Sequence, residues 1–187
     1  MTVEIKRYRF TVPDYHRIGE VGILDEDANV ELLAGDIVVR ERPGPYHAGT
    51  VDRLNTLWAS RVVGRAVVRV QNPIELPEVD SEPQPDLALL RPRADFYTTA
   101  HPRATDVLLV VEVAESSARP DRRVKIPVYA RAGIGEVWLV DVTNRRVELY
   151  RDPSAGGYRE FRAAGNDEVV SPEAFPDLRL TPRDLLG

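Results

Sequence analysis

The stretch Val107-Leu108-Leu109-Val110-Val111-Glu112-Val113, then a segment from Arg119 to Ala132, a stop at Gly133 and the run Glu136-Val137-Trp138-Leu139-Val140-Asp141 decide the fold. The two apolar runs read as buried strands, and the segment between them has the length and composition of a helix ended by glycine. Strand, helix and strand in that order predict a crossover with parallel strands. Pro127 falls inside the expected helix, where it removes a hydrogen bond, so a kink is expected there.

Upstream, Thr11 to Arg17 looks like a helix start, with Thr11 as its cap and Pro13 in the first turn. Val30–Leu33 and Ile37–Arg40 are extended runs separated by Ala34-Gly35-Asp36, a hairpin signal. A turn at Arg42-Pro43-Gly44-Pro45 precedes a helix from His47 to Val63, whose apolar positions are Val51, Leu54, Leu57, Trp58 and Val62. Strands are expected at Ala66–Val70 and Pro85–Leu90. After Thr143 the pattern becomes a meander, Val147–Tyr150 and Tyr158–Arg162 joined by Asp152–Gly157, and the tail Ser171–Gly187 shows little periodicity. The expected class is α/β, a mixed β-sheet flanked by helices, extended by an N-terminal hairpin and a C-terminal β-meander. One domain is expected over residues 1–187, with a core at about 28–142 and a C-terminal β extension at about 143–187.

At 187 residues and 43% apolar content the chain can bury a core of its own. No apolar run approaches the roughly 20 residues of a membrane span. The opening Met-Thr-Val-Glu-Ile-Lys has no apolar signal region, so no membrane partner and a cytoplasmic location are expected. With no cysteine, metal ligands must come from carboxylates and from His16, His47 and His101. A net charge of −5 argues against coating nucleic acid by bulk electrostatics. Only Lys6 and Lys125 among the 25 basic residues are lysine, so a lysine inside the chain is not a generic cation here.

Asp86 ends the polar run Ser81-Glu82-Pro83-Gln84-Pro85-Asp86 at the entrance to Leu87-Ala88-Leu89-Leu90, and Glu112 interrupts an apolar strand. Burying an ionised carboxylate is costly unless a cation compensates it. Two such acids on neighbouring strands with Lys125 nearby describe a hard-cation site. Arg119, Arg122, Arg123 and Arg131 could form a phosphate-facing patch beside it, or a solvated helix face. Blander alternatives exist for each candidate: Asp86 as a turn or cap acid, Glu112 as a solvent-exposed acid at a strand end, Lys125 pairing with Asp121, Glu31 pairing across strands with Arg40, His47 as a helix-start residue, and Tyr129, like Trp138, as a core residue. His16 and His101 read as surface residues.

The ordered segments Val30-Glu31-Leu32-Leu33-Ala34-Gly35, His47 after its Pro-Gly turn, Pro85-Asp86, Val111-Glu112-Val113, Asp121-Arg122-Arg123-Val124-Lys125 with Tyr129, and Gly133 to Asp141 resemble the Uma2-family restriction endonucleases of the PD-(D/E)XK nuclease superfamily. The resemblance covers nearly the whole chain. It implies a restriction-endonuclease-like core and hydrolysis of DNA phosphodiester bonds with Mg²⁺ or Mn²⁺. Asp86 matches the first acid of the motif and Glu112 the second, with the Val113 carbonyl as a further metal ligand. Ala114 stands where the superfamily's usual lysine belongs, and Lys125 on the following helix is its expected replacement. Tyr129, four residues on, would share its face. Glu31 matches an acid of the N-terminal part of the core that also serves the metal, and His47 another family position. DNA is the implied partner, and a homodimer is left open. A nuclease-fold binding module without turnover, or a hydrolase of another phosphoester, are the alternatives. Three converging acids should repel, so removing the charge of Asp86 is expected to stabilise the metal-free protein.

Overall fold

In the computed structural model, residues 7–25, 27–40, 42–115, 121–165 and 167–187 are described, apart from the side chains of Asp121 and Arg122. The crossover is present: β5 (Val107–Ala114) and β6 (Glu136–Asp141) run parallel, with Glu112 opposite Leu139. They form the centre of a six-stranded sheet in the order β3-β4-β5-β6-β7-β8. The other members are β3 (Val67–Val70), β4 (Leu87–Leu90), β7 (Arg146–Ser154) and β8 (Gly157–Ala164), and all their pairings are antiparallel. The sheet is therefore mixed, as expected.

Alternation along β5 assigns its two faces. Leu109, Val111 and Val113 pack with Val51, Leu54 and Trp58 of helix α2 (Pro45–Arg61), where Trp58 and Trp138 meet edge to face at 5.7 Å between ring centroids. Val110 packs on the other face with Ile126, Val128 and Tyr129. Glu112 shares the face of Val110, so it points under the crossover segment. That segment is not one kinked helix. A π-helical turn, Asp121–Lys125, leads into a short α-helix α3 (Ile126–Arg131), and Pro127 falls in the first turn of α3, where its missing N–H is no loss. The expected start at Arg119 lies outside the described residues.

Helix α1 (Val12–Glu20) is capped by Thr11, whose side chain accepts from the Asp14 N–H while Asp14 Oδ2 accepts from the Thr11 N–H. The hairpin of β1 (Val30–Leu33) and β2 (Asp36–Val39) turns through Ala34 and Gly35 at φ 50° and 80°, the doubly left-handed turn that suits strand twist. Gly35 has a second reason to lack a side chain, since a Cβ there would lie 2.8 Å from Arg9 Cβ. The Glu82 N–H donates to the Leu32 carbonyl at 2.7 Å and holds the hairpin against the chain leading to β4.

The meander is longer than the sequence pattern suggests. Pairing continues to Ser154 opposite Gly157, so most of the expected Asp152–Gly157 loop is strand. The tail is not patternless either: helix α4 (Pro182–Leu186) is capped by Thr181 with Asp184 in the reciprocal position. Buried Glu136 ties the tail to the sheet, accepting from Arg151 at 2.6 Å and from the Glu173 N–H at 2.7 Å, while Arg151 also donates to the Ser171 carbonyl. No helix among the described residues is long and apolar enough to cross a membrane. Leu185 is fully buried in the cluster of α2 and Trp138. Leu185→Ala should therefore cost about 2–5 kcal/mol in denaturant unfolding; a loss below about 0.5 kcal/mol, typical of surface substitutions, would show that the tail only rests on the surface.

Candidate active site

Asp86 immediately precedes β4, whose Leu87 is opposite Val111 of β5, so the two strands bring Asp86 beside Glu112. The Asp86 N–H donates to Glu112 Oε2 at 3.4 Å, and the Val113 N–H donates to Asp86 Oδ2 at 2.8 Å. His47, in the first turn of α2, places Nε2 at 2.9 Å from Asp86 Oδ1. Asp86 and Glu112 are both buried, at 7% and 2% exposure.

Lys125 ends the π-helical turn and sends its ammonium between two carboxylates, 3.3 Å from Glu112 Oε1 and 3.4 Å from Glu31 Oε2. Tyr129 donates its hydroxyl to the same Glu112 Oε1 at 2.6 Å. The spacing of four residues thus puts both side chains on one carboxylate oxygen. Glu31 arrives from β1 and is also held by the Gln84 N–H at 3.0 Å. Lys125 is paired with these two acids, and Arg40 reaches Gln84 and Asn29 rather than Glu31. All six side chains singled out in the sequence converge. They lie in and beneath an open cleft of about 370 Å³ whose lining includes Glu31, His47, Asp86, Glu112, Val113 and Lys125.

Two groups of residues fall elsewhere. Arg123 and Arg131 are exposed and do not line the cleft, while Arg119 and the Arg122 side chain lie outside what is described. Among the described residues the arginines at the cleft are Arg40 and Arg42, from the end of the hairpin. Gln71 is a further contributor without a sequence signal: it holds a left-handed φ of 48°, donates its N–H to the Asp86 carbonyl at 3.1 Å and extends its amide to Asp86 Oδ1 at 3.4 Å. His16 is exposed, as expected, but pairs with buried Glu82, and His101, half-buried, lies 3.3 Å from Arg69.

A family model described as "Uma2: Putative restriction endonuclease" matches residues 12–183. The chain belongs to the Uma2 family. A solved structure described as "a putative nuclease belonging to DUF820" from Anabaena variabilis resembles it over 95% of this chain and 97% of its own, with a TM-score of 0.73 and 19% sequence identity. At that identity the likeness shows the Uma2 chain's fold alone. No curated protein shows a significant match to it.

Among the described residues no three His, Asp or Glu side chains form a ready metal cage. Magnesium does not require one, since it binds through one or two carboxylates and keeps several waters. The donors fit such an ion: hard oxygens only, and carboxylates whose lone pairs are not all used by the contacts above. Among the described residues three carboxylates face Lys125 and His47, which leaves an excess of negative charge even with the histidine protonated.

The expected repulsion among the acids does not dominate at Asp86. Burial pushes its carboxyl up, but the hydrogen bond and charge of His47, the Val113 N–H and Lys125 outweigh burial and hold it below the ordinary aspartate range. Removing the charge should therefore destabilise the metal-free protein, the opposite of the first expectation. Because the folded pKa is depressed, this stabilisation is present above the unfolded value near 3.8 and is lost as pH falls through the folded one. In chelator, Asp86→Asn should lose about 1–3 kcal/mol at neutral pH, with the gap from wild type closing on acidification. A variant that melts higher than wild type at pH 7 would restore the repulsion account.

Proposed function

We propose that this Uma2 chain is an endonuclease that hydrolyses DNA phosphodiester bonds with Mg²⁺ or Mn²⁺. The observation that carries the reading is the meeting of Glu31, Asp86 and Glu112 at an open cleft, with Lys125 bridging Glu31 and Glu112 and His47 on Asp86. Asp86 and Glu112 would hold the ion, joined by the Val113 carbonyl. In an extended strand a residue's N–H and C=O share one edge, and the Val113 N–H already faces Asp86. Glu31 would support a second ion or a water. When bound, the ion supplies Lewis acidity that activates water and shields phosphate charge.

The chain's own residues do the rest. Lys125 offers a compact positive charge to the developing charge on the phosphoryl oxygens, or orients the attacking water. Tyr129 fixes the rotamer of Glu112 through the hydrogen bond to Oε1. His47 and the Val113 N–H hold the two oxygens of Asp86 in place. Preorganised groups of this kind need no rearrangement when charge develops.

Supercoiled, linear and single-stranded DNA incubated with Mg²⁺, Mn²⁺ or chelator test the reading. Metal-dependent nicking supports it, and binding without turnover would assign a nucleic-acid-binding module instead. Glu112→Gln should retain the fold and lose at least 100-fold in cleavage, on the order of the loss of one key electrostatic group. Lys125→Arg should lose most of the activity despite its charge, because a planar fork does not occupy a point-charge position. Near wild-type nicking by either folded variant would remove that residue from the chemistry.

A further inference from the structure

The cleft floor carries Glu31, Asp86 and Glu112, with Glu115 at its lining, so a polyanion approaching it meets repulsion before any cation helps. Among the described residues the lining cations are Lys125, Arg40 and Arg42. Lys125 is engaged by Glu31 and Glu112, which leaves the two arginines.

Arg40 is held by neutral groups, in contrast to the ion-paired arginines of this fold. Arg65, Arg93, Arg103, Arg151, Arg159 and Arg183 each face a carboxylate. Arg40 Nη1 donates instead to neutral amide oxygens, Gln84 Oε1 at 2.8 Å and Asn29 Oδ1 at 3.4 Å. Its backbone is tied to the same asparagine, through Arg40 N–H to the Asn29 carbonyl at 2.8 Å and Asn29 Nδ2 to the Arg40 carbonyl at 2.8 Å. Amide oxygens orient a guanidinium without cancelling its charge. Gln84, which receives Arg40, also gives its N–H to Glu31, so the arginine is positioned from the same loop as the acids. Arg42, two residues on, is exposed at the lining and makes no ion pair with a carboxylate among the described residues. Five guanidinium N–H groups in a planar fork match phosphate oxygens in pairs.

We infer that Arg40 and Arg42 form a clamp on the backbone phosphates of a nucleic acid, holding the strand over the Asp86–Glu112 site from the hairpin side. The inference rests on the nuclease reading, and it assigns binding to the hairpin and not to the exposed Arg123 and Arg131. Phosphate contacts of this kind position a strand and carry no sequence information.

Fluorescence anisotropy of a labelled DNA duplex tests it, titrated with the full chain in Ca²⁺ across a series of salt concentrations. Each phosphate contact in a duplex contributes about 0.9 to the slope of log affinity against log salt. The double variant Arg40→Gln, Arg42→Gln should therefore flatten the slope by about 1.8 and weaken binding at low salt, while Arg123→Gln, Arg131→Gln should leave the slope unchanged. Arg40→Lys, Arg42→Lys should keep most of the slope, which separates charge from any packing effect, and matched thermal melts check that each variant is folded. If wild type binds and the glutamine variant shows the same slope and affinity, the clamp is overturned and the nuclease reading stands. If wild type binds neither duplex nor single strand at low salt, both fall.

Discussion

The Lys125 ammonium stands between Glu31 of the hairpin and Glu112 of the central sheet, and much of the architecture serves to put it there. Glu112 is 2% exposed and Glu31 4%, so an unpaired carboxylate at either place would be expensive. One cation joins a two-stranded unit to a six-stranded one, and the joint lies at the floor of the cleft. The π-helical turn that ends in Lys125 follows from the same requirement. Its wider winding delivers the lysine onto Glu112 while α3 then returns Tyr129 to the same oxygen.

Burial of an acid does not mark this site by itself. Glu136 and Glu148 are as deeply buried as Glu112, at 1% and 2% exposure. Glu136 is answered by Arg151, the Trp138 ring N–H and the Glu173 N–H, and it fastens the tail. Glu148 is answered by Arg146 and Tyr150. Each of these acids has an arginine in hydrogen-bond contact, whereas at the open cleft Glu31 and Glu112 share Lys125 and Asp86 is paired with His47. Structural acids here carry local partners. Two of the site's acids share one lysine and the third has a histidine, which leaves negative charge for an incoming cation.

Much of the fold and the site could be read in the chain, and the misses have definite causes. Apolar runs gave β4, β5 and β6, and the lysine's rarity drew attention to Lys125. Glu112 stood out because nothing in an apolar strand calls for an acid. The site's second layer was harder. Gln71, Gln84 and Asn29 act through main-chain geometry and long-range folding, and a lone amide in a loop has no pattern to betray it. Arg123 and Arg131 are close in sequence to Glu112 but do not line the cleft, whereas Arg40 reaches it through the hairpin. Pro127 does not kink one helix but opens a new helical segment after a change of winding, which a lone proline in the sequence does not signal. The C-terminal helix did carry its signal, Thr181-Pro182-Arg183-Asp184, the same cap chemistry as Thr11 with Asp14, but its five residues are too few to show a period.

The most direct test of the central claim, that Asp86 and Glu112 form a cation site served by Lys125, is an anomalous-scattering map from crystals soaked in Mn²⁺. The account predicts a peak in contact with both carboxylates and the Val113 carbonyl. Absence of a peak there in a well-ordered cleft, with Lys125 still bridging Glu31 and Glu112, would contradict it, as would a peak only at other carboxylates.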